Sequence, residues 1–271
     1  SPTPAPSPQA TATPVPTPIP FCTFSTRIFD RNPTTQIETD SVTRGPTYYN
    51  RGTSPGWSRG DLASASFYNS NSNAPCFGKS AGQCQFSTRT VYYDVTGKRI
   101  ESITIGPNYY NWDSVTGWWS ITNRDLASEP HYNSSPNAPC YGKSAGACVF
   151  TSRFQYVEKS TNKTIQAVTV GPNYYIWDSV TGWWPVANRD LTSAAYYTQP
   201  NAPCFGKAAG SCTFDTVLRF YDASDTLIES VTSGERYFNN TGLTNGGWWS
   251  ITDNRLGATP RYLESNGPCL P

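Results

Sequence analysis

Eight cysteines are the residues of this chain whose type and spacing most clearly admit chemistry: Cys22, Cys76, Cys84, Cys140, Cys148, Cys204, Cys212 and Cys269. Six of them bracket a nine-residue cassette, CFGKSAGQC at 76–84, CYGKSAGAC at 140–148 and CFGKAAGSC at 204–212. Thiolates with this spacing lack the second ligand pair that a tetrahedral metal site needs, so neither a metal nor any other cofactor is expected. Cysteines at regular spacing in a chain without methionine read instead as the disulfides of an oxidised, exported protein, secreted or displayed at the cell surface.

Repeat symmetry leaves two pairings. In one, each unit ties its own ends: Cys22–Cys76, Cys84–Cys140, Cys148–Cys204, Cys212–Cys269. In the other, each cassette closes on itself, which leaves Cys22 and Cys269 for each other or for adjacent subunits. Loop-closure entropy favours the first, at roughly 4 kcal/mol per unit-sized loop against ~2.5 for a cassette. The first also gives a small unit its own staple, so it is the expected one.

Other chemistry has little support. The GKS of the cassettes would need a glycine at position 73 to make a phosphate loop, and Asn73 stands there. Lys79, Lys143 and Lys207 therefore read as solvated loop residues. The single histidine, His131, has no counterpart in the other units and reads as an exposed loop residue. Serine and cysteine nucleophiles thus have no evident base. Asp113 and Asp178 lack a second carboxylate at a repeat-stable spacing, against glycosidase chemistry. Arg59-Gly60-Asp61 is a shared Arg-Asp turn that contains glycine once. The chain reads as non-enzymatic.

The aromatic residues are the remaining candidates. Tyr109, Tyr110, Trp112, Trp118 and Trp119 recur as Tyr174, Tyr175, Trp177, Trp183 and Trp184, and again as Tyr237, Trp248 and Trp249. Such rings stack on the apolar faces of sugars, with Asp113, Asn111, Asn123 and Arg124 near enough in sequence to bond hydroxyls. Equally, they can supply the core of units poor in aliphatic residues. Adjacent rings on an extended chain point to opposite sides, so one of each pair is expected inside and the other outside. Packing is the preferred reading.

The elements that position these residues come from the repeat. Unit starts at Cys22, Cys84, Cys148 and Cys212 lie 62, 64 and 64 residues apart. The expected organisation is a tail at 1–21, repeats at 22–76 (the divergent one), 84–140, 148–204 and 212–271, and joints at 77–83, 141–147 and 205–211. Within a repeat, FSTRTVYYD, VTGK and RIESITIG alternate β-branched and aromatic residues around a glycine turn, a β-hairpin. A long aromatic loop is expected after it. The fold class is all-β: a tandem array of four small disulfide-stapled β modules. Residues 1–20 hold eight prolines and no charge, so they favour an extended polyproline II segment.

Only 14% of residues are charged and the net charge is +1, which disfavours nucleic acid as a partner. No apolar run reaches the roughly 18 residues that a membrane span needs, so no membrane insertion is expected. Asn133, Asn162 and Asn239 begin N-glycosylation sequons, and Thr3, Ser7, Thr11, Thr13 and Thr17 of the tail are candidate O-glycosylation sites. Tandem modules that open and close on half a cassette suggest head-to-tail stacking with copies of the same chain. The functional expectation is a structural subunit of an extracellular filament or wall assembly, its proline-rich tail engaging a neighbour. The alternative is a multivalent glycan-binding adhesin on a proline-rich stalk.

Overall fold

The computed structural model describes residues 21–31, 37–52, 56–94, 96–158, 160–221, 224, 226–241 and 247–270, without the side chains of 31, 120–123, 185–188 and 249–254. Among the described residues sixteen strands form four separate antiparallel sheets, each with its strands in chain order. The first sheet holds β1 (Thr26–Arg31), β2 (Glu38–Arg44), β3 (Thr47–Arg51) and β4 (Ser58–Asp61). The second holds β5 (Thr88–Tyr93), β6 (Arg99–Ile105), β7 (Asn108–Asp113) and β8 (Gly117–Asp125). The third holds β9 (Ser152–Val157), β10 (Thr164–Val170), β11 (Asn173–Asp178) and β12 (Gly182–Asp190), and the fourth β13 (Thr216–Tyr221), β14 (Leu227–Ser233), β15 (Arg236–Thr241) and β16 (Trp248–Arg255). One-turn helices α1 (Ser66–Asn69) and α2 (Pro130–Asn133) follow the first two sheets, and 3₁₀ turns stand there after the others. Each sheet falls inside one sequence repeat. The expected hairpin is β5–β6 and its counterparts, but the expected aromatic loop is itself a hairpin, β7–β8. The middle turn is two residues long in every sheet and opens with Gly45, Gly106, Gly171 or Gly234. All four have φ between 56° and 61°, a region where a side chain would be strained.

The sheets do not run in a line. First strands meet first strands: β1 touches β5, β5 touches β9, β9 touches β13, and β13 returns to β1. This is a closed, propeller-like ring of four blades with β1, β5, β9 and β13 around the axis. Four apolar clusters fill it, and each lies between two blades. Tyr110 and Trp118 of blade 2 pack with Leu62, Tyr68 and Phe86 against blade 1. Tyr109 of blade 2 packs with Tyr175 and Trp183 against blade 3. Tyr174 meets Phe238 and Trp248, and Tyr237 meets Tyr49 and Trp57.

That arrangement corrects the one-in, one-out expectation for the tyrosine pairs. Neighbouring tyrosines do point to opposite faces, but both faces are covered by a blade, so Tyr109 and Tyr110 are both buried. Of the tryptophan pairs, Trp118 and Trp119 follow the expectation, at 3% and 41% exposed, whereas Trp183 is buried and Trp184 half-buried.

The disulfides also correct the expected pairing. Cys76–Cys84, Cys140–Cys148 and Cys204–Cys212 close the cassettes, and Cys22 pairs with Cys269. Loop-closure entropy concerns only the unfolded chain, whereas pairing is decided by which sulfurs the fold brings together. Cassette turns such as Lys79 N–H to Cys76 O (3.0 Å) and Gln83 N–H to Ser80 O (3.0 Å) place the cassette ends 5.5 Å apart at Cα. Each unit's own two ends lie at different blade interfaces. The two half-joints at the chain's ends therefore meet each other in the same molecule, which removes their cysteines as a link to a second copy.

Candidate functional site

The ring has two distinct ends. At one lie the cassettes and the two-residue turns; Arg44, at the end of β2, holds the carbonyl of Phe21 there at 2.8 Å. The inner strands run from that end to the other, starting near Thr26, Thr88, Ser152 and Thr216. Along the axis they leave only small spaces of about 10 and 40 Å³, too tight for more than a few waters. At the far end they splay into a mouth of about 410 Å³.

Every blade contributes an aromatic or apolar strand end to this mouth, and each pair of neighbouring blades is in contact there. Tyr93 Oη donates to Asp30 Oδ2 at 3.3 Å across blades 1 and 2. Tyr92 is bonded to Gln155 across blades 2 and 3. Arg219 Nη1 donates to Tyr156 Oη at 2.8 Å across blades 3 and 4. The rings of Phe29 and Phe220 meet with centroids 4.7 Å apart across the last pair. Burial pushes the phenol pKa of Tyr92, Tyr93 and Tyr156 upward, so all three keep their O–H at neutral pH. Tyr93 and Asp30 also border a second cavity of about 460 Å³ between blades 1 and 2, lined by Ser41, Asn50, Arg89 and Arg99. The mouth surface offers aromatic faces, phenol donors and one guanidinium, which suits stacking and hydrogen bonding to carbonyl or hydroxyl groups.

None of the aromatic residues singled out in the sequence lines this mouth. Tyr109, Tyr110, Trp118, Tyr174, Tyr175, Trp183, Tyr237 and Trp248 are buried between blades. Trp112, Trp177 and Trp184 are half-buried, and the side chain of Trp249 lies outside the described residues. The buried indoles have a specific task. Trp57, Trp118, Trp183 and Trp248 each donate Nε1–H to a backbone carbonyl behind the preceding blade, on Arg261, Phe67, His131 and Tyr196, at 2.6 to 2.9 Å.

Those acceptors show that His131 does have counterparts, in Phe67, Tyr196 and Arg261. It is half-buried against the rings of Trp177 and Trp183, not an exposed loop residue. Burial lowers its pKa, with Arg153 adding to the effect.

Four arginines extend the same theme. Arg27, Arg89 and Arg153 lie over Tyr237, Tyr48 and Tyr109 of the preceding blade, and Arg219 over Phe154. Buried acids oppose three of them: Asp40, Glu101 and Glu229. Glu101 accepts from Arg89 Nε at 2.8 Å and Glu229 from Arg219 Nε at 2.6 Å. Burial alone would raise the Glu101 pKa; the charge and hydrogen bonds of Arg89 outweigh it and hold the pKa below the usual value. Blade 3 has Gln166 at this place. With its oxygen toward the guanidinium, Gln166 accepts from Arg153 Nε and Nη2 at 3.0 and 2.9 Å and donates to His131 Nε2.

The remaining candidates take structural places. Asp61, Asp125 and Asp190 each accept from the backbone N–H of a cassette glycine, Gly82, Gly146 or Gly210, at 2.8 to 3.1 Å. The Arg-Asp turn therefore anchors the cassette that follows it, and blade 4, which no cassette follows, lacks the aspartate. Asp113 caps its own turn through Val115 N–H and Thr116 N–H, both at 2.8 Å, and pairs with Lys98. Asn111 accepts from Ser102, and Arg124 Nη2 donates to the Ser72 carbonyl at 2.8 Å. Lys207 is half-buried and donates to Ser233 Oγ at 3.3 Å. Among the sequons, Asn162 is exposed on a turn, Asn133 donates to the Ala127 carbonyl, and Asn239 is buried with its oxygen accepting from Ser230 at 2.5 Å. Thr3, Ser7, Thr11, Thr13 and Thr17 lie outside the described residues.

No family model matches the chain, and no curated protein matches it. Among solved structures it is similar to one described as "YCF48 bound to D1 peptide", at 8% identity and a TM-score of 0.29, over 80% of this chain and 50% of that one. The chain spans half the length of that protein, and a likeness so slight carries no functional argument.

Proposed function

We propose that the protein is a non-enzymatic structural subunit of an extracellular assembly in which rings stack end to end. The observation that carries this reading is a repeated apolar surface on the cassette end. The residue directly after the first cysteine of each joint, Phe77, Tyr141, Phe205 or Leu270, is 53%, 52%, 59% or 44% exposed. A fold that buries most of its repeated tyrosines and tryptophans between blades leaves an apolar side chain out at this same position four times, which fits a contact surface. The opposite end shows Val115 and Val180 at its turn tips, 79% and 71% exposed. Four disulfides fit an oxidising compartment outside the cytosol. Among the described residues no helix is long and apolar enough to cross a membrane.

Sedimentation and negative-stain microscopy test the proposal. The full chain is expected to form species well above monomer mass, and Phe77→Ser with Tyr141→Ser and Phe205→Ser to shift them toward monomer. A wild-type chain that stays monomeric at every concentration sinks the reading. The glycan-binding alternative now rests on the mouth, since the tandem rings that would have given avidity are mostly buried. A glycan-array signal abolished by Tyr92→Ala would favour it.

A further inference from the structure

We infer that the aromatic mouth of one ring is the docking site for the proline-rich segment, residues 1–20, of a second copy of the chain. The inference rests on the end-to-end reading above and adds the site and its occupant.

Chemistry on both sides supports it. Residues 1–20 carry eight prolines, no charge and no aromatic side chain. A polyproline II chain makes no internal hydrogen bonds, so it offers proline rings for stacking and carbonyls that need donors. Aromatic-lined grooves recognise such segments because little conformational entropy is lost on binding. The mouth supplies Tyr92, Tyr156, Phe29 and Phe220 as faces and protonated phenols as donors. Its volume of about 410 Å³ lies within the range of ordinary ligand sites. It is closed behind, where the axis narrows to about 40 Å³, and the Tyr93–Asp30 hydrogen bond bounds it on the side of blades 1 and 2. A segment can therefore lie across the mouth but cannot thread the ring.

Direction selects the second copy over the same one. The segment departs at Phe21, which Arg44 holds at the cassette end, whereas Phe29 and Asp30 line the mouth at the far end. The six residues of β1 separate the two by roughly 20 Å along the axis. A return to its own mouth would have to run around the outside of the blades. In an end-to-end stack, the cassette end of one ring faces the mouth of the next, and ~3.1 Å per residue over this segment spans that gap easily.

The test uses the full chain. Tyr92→p-benzoylphenylalanine protein, mixed one to one with ¹⁵N-labelled wild type, is irradiated and digested. The expected product joins position 92 to a peptide from residues 1–20, with the two halves carrying different isotope labels. Since half of the partners are unlabelled, about half of the products should carry both labels; products that are all of a single label show the segment on its own ring and overturn the inference. So do products joining position 92 only to blade residues, even if polymers persist, in which case end-to-end stacking survives alone. Monomer throughout removes both. Should the variant misfold, a synthetic peptide of residues 1–20 added in excess to wild type is expected to cause loss of polymer, while a scrambled peptide does not. Unchanged polymer with both peptides also overturns it.

Discussion

The interface between blades 2 and 3 and the seam between blades 4 and 1 are built to one plan but joined differently. At the first, the chain passes directly from one blade to the next through the cassette at 140–148. At the seam the backbone is interrupted, and the segment after β16 must find blade 1 from the far end of the sequence. Extra ties concentrate there. Arg51 forms a two-bond pair with Glu264 at 2.7 and 3.2 Å, Arg261 meets Asp40 at 2.9 Å, and Trp57 N–H bonds Ser265 O at 3.2 Å. At the continuous interface Arg153 faces an amide, Gln166, where the seam has Asp40. The buried carboxylate does not follow the chain break, since Glu101 and Glu229 face Arg89 and Arg219 at the two other joined interfaces; what marks the seam is the added charge pairs and the long-range disulfide.

Four changes break or sharpen this contrast. The largest effect is expected from Cys22→Ser with Cys269→Ser. That bond spans 247 residues, so its loss should lower stability by on the order of 5 kcal/mol in urea unfolding. Next comes Glu101→Gln, which copies the blade 3 arrangement at the interface of blades 1 and 2. It leaves the buried Arg89 without its carboxylate, at a cost of about 3–4 kcal/mol. Because the Glu101 pKa is depressed in the fold, its stabilisation is complete above the unfolded carboxylate range of ~4.3. It is lost as pH falls through the folded value, so the variant should show a shallower loss of stability in acid than wild type. Cys140→Ser with Cys148→Ser should cost less, about 2.5 kcal/mol, because a cassette closes only a short loop.

The smallest change is expected from His131→Tyr, which installs the residue found at the equivalent Tyr196. Burial lowers the His131 pKa, so wild type should lose stability as pH falls below the unfolded value of ~6.5. Thermal unfolding of the variant between pH 7 and pH 5 should lack that loss. Retention of the full slope would place its origin elsewhere.

Much of this fold is legible from the residues alone, and the exceptions are physically instructive. The repeat, the first hairpin of every blade and the cysteine positions follow from spacing and period. The second hairpin is hidden because the Tyr109-Tyr110 pair breaks the apolar–polar alternation of a half-buried strand, as a sheet covered on both faces must. Closure is hidden because no local pattern states that β13 returns to β1. The mouth is hidden for the same reason: Phe29, Tyr92, Tyr156 and Phe220 are unremarkable as single strand-end aromatics, and only ring closure makes them one surface. A signal did exist in the aromatic ends of FSTRTVYYD and FDTVLRFYD, which no pattern within a unit required.

Non-reducing peptide mapping tests ring closure most directly. The account predicts a digest product joining the peptides of Cys22 and Cys269 from a single chain, beside three cassette peptides each closed on itself. A product joining Cys22 to Cys76, or Cys22 of one isotope-labelled chain to Cys269 of another, would contradict it.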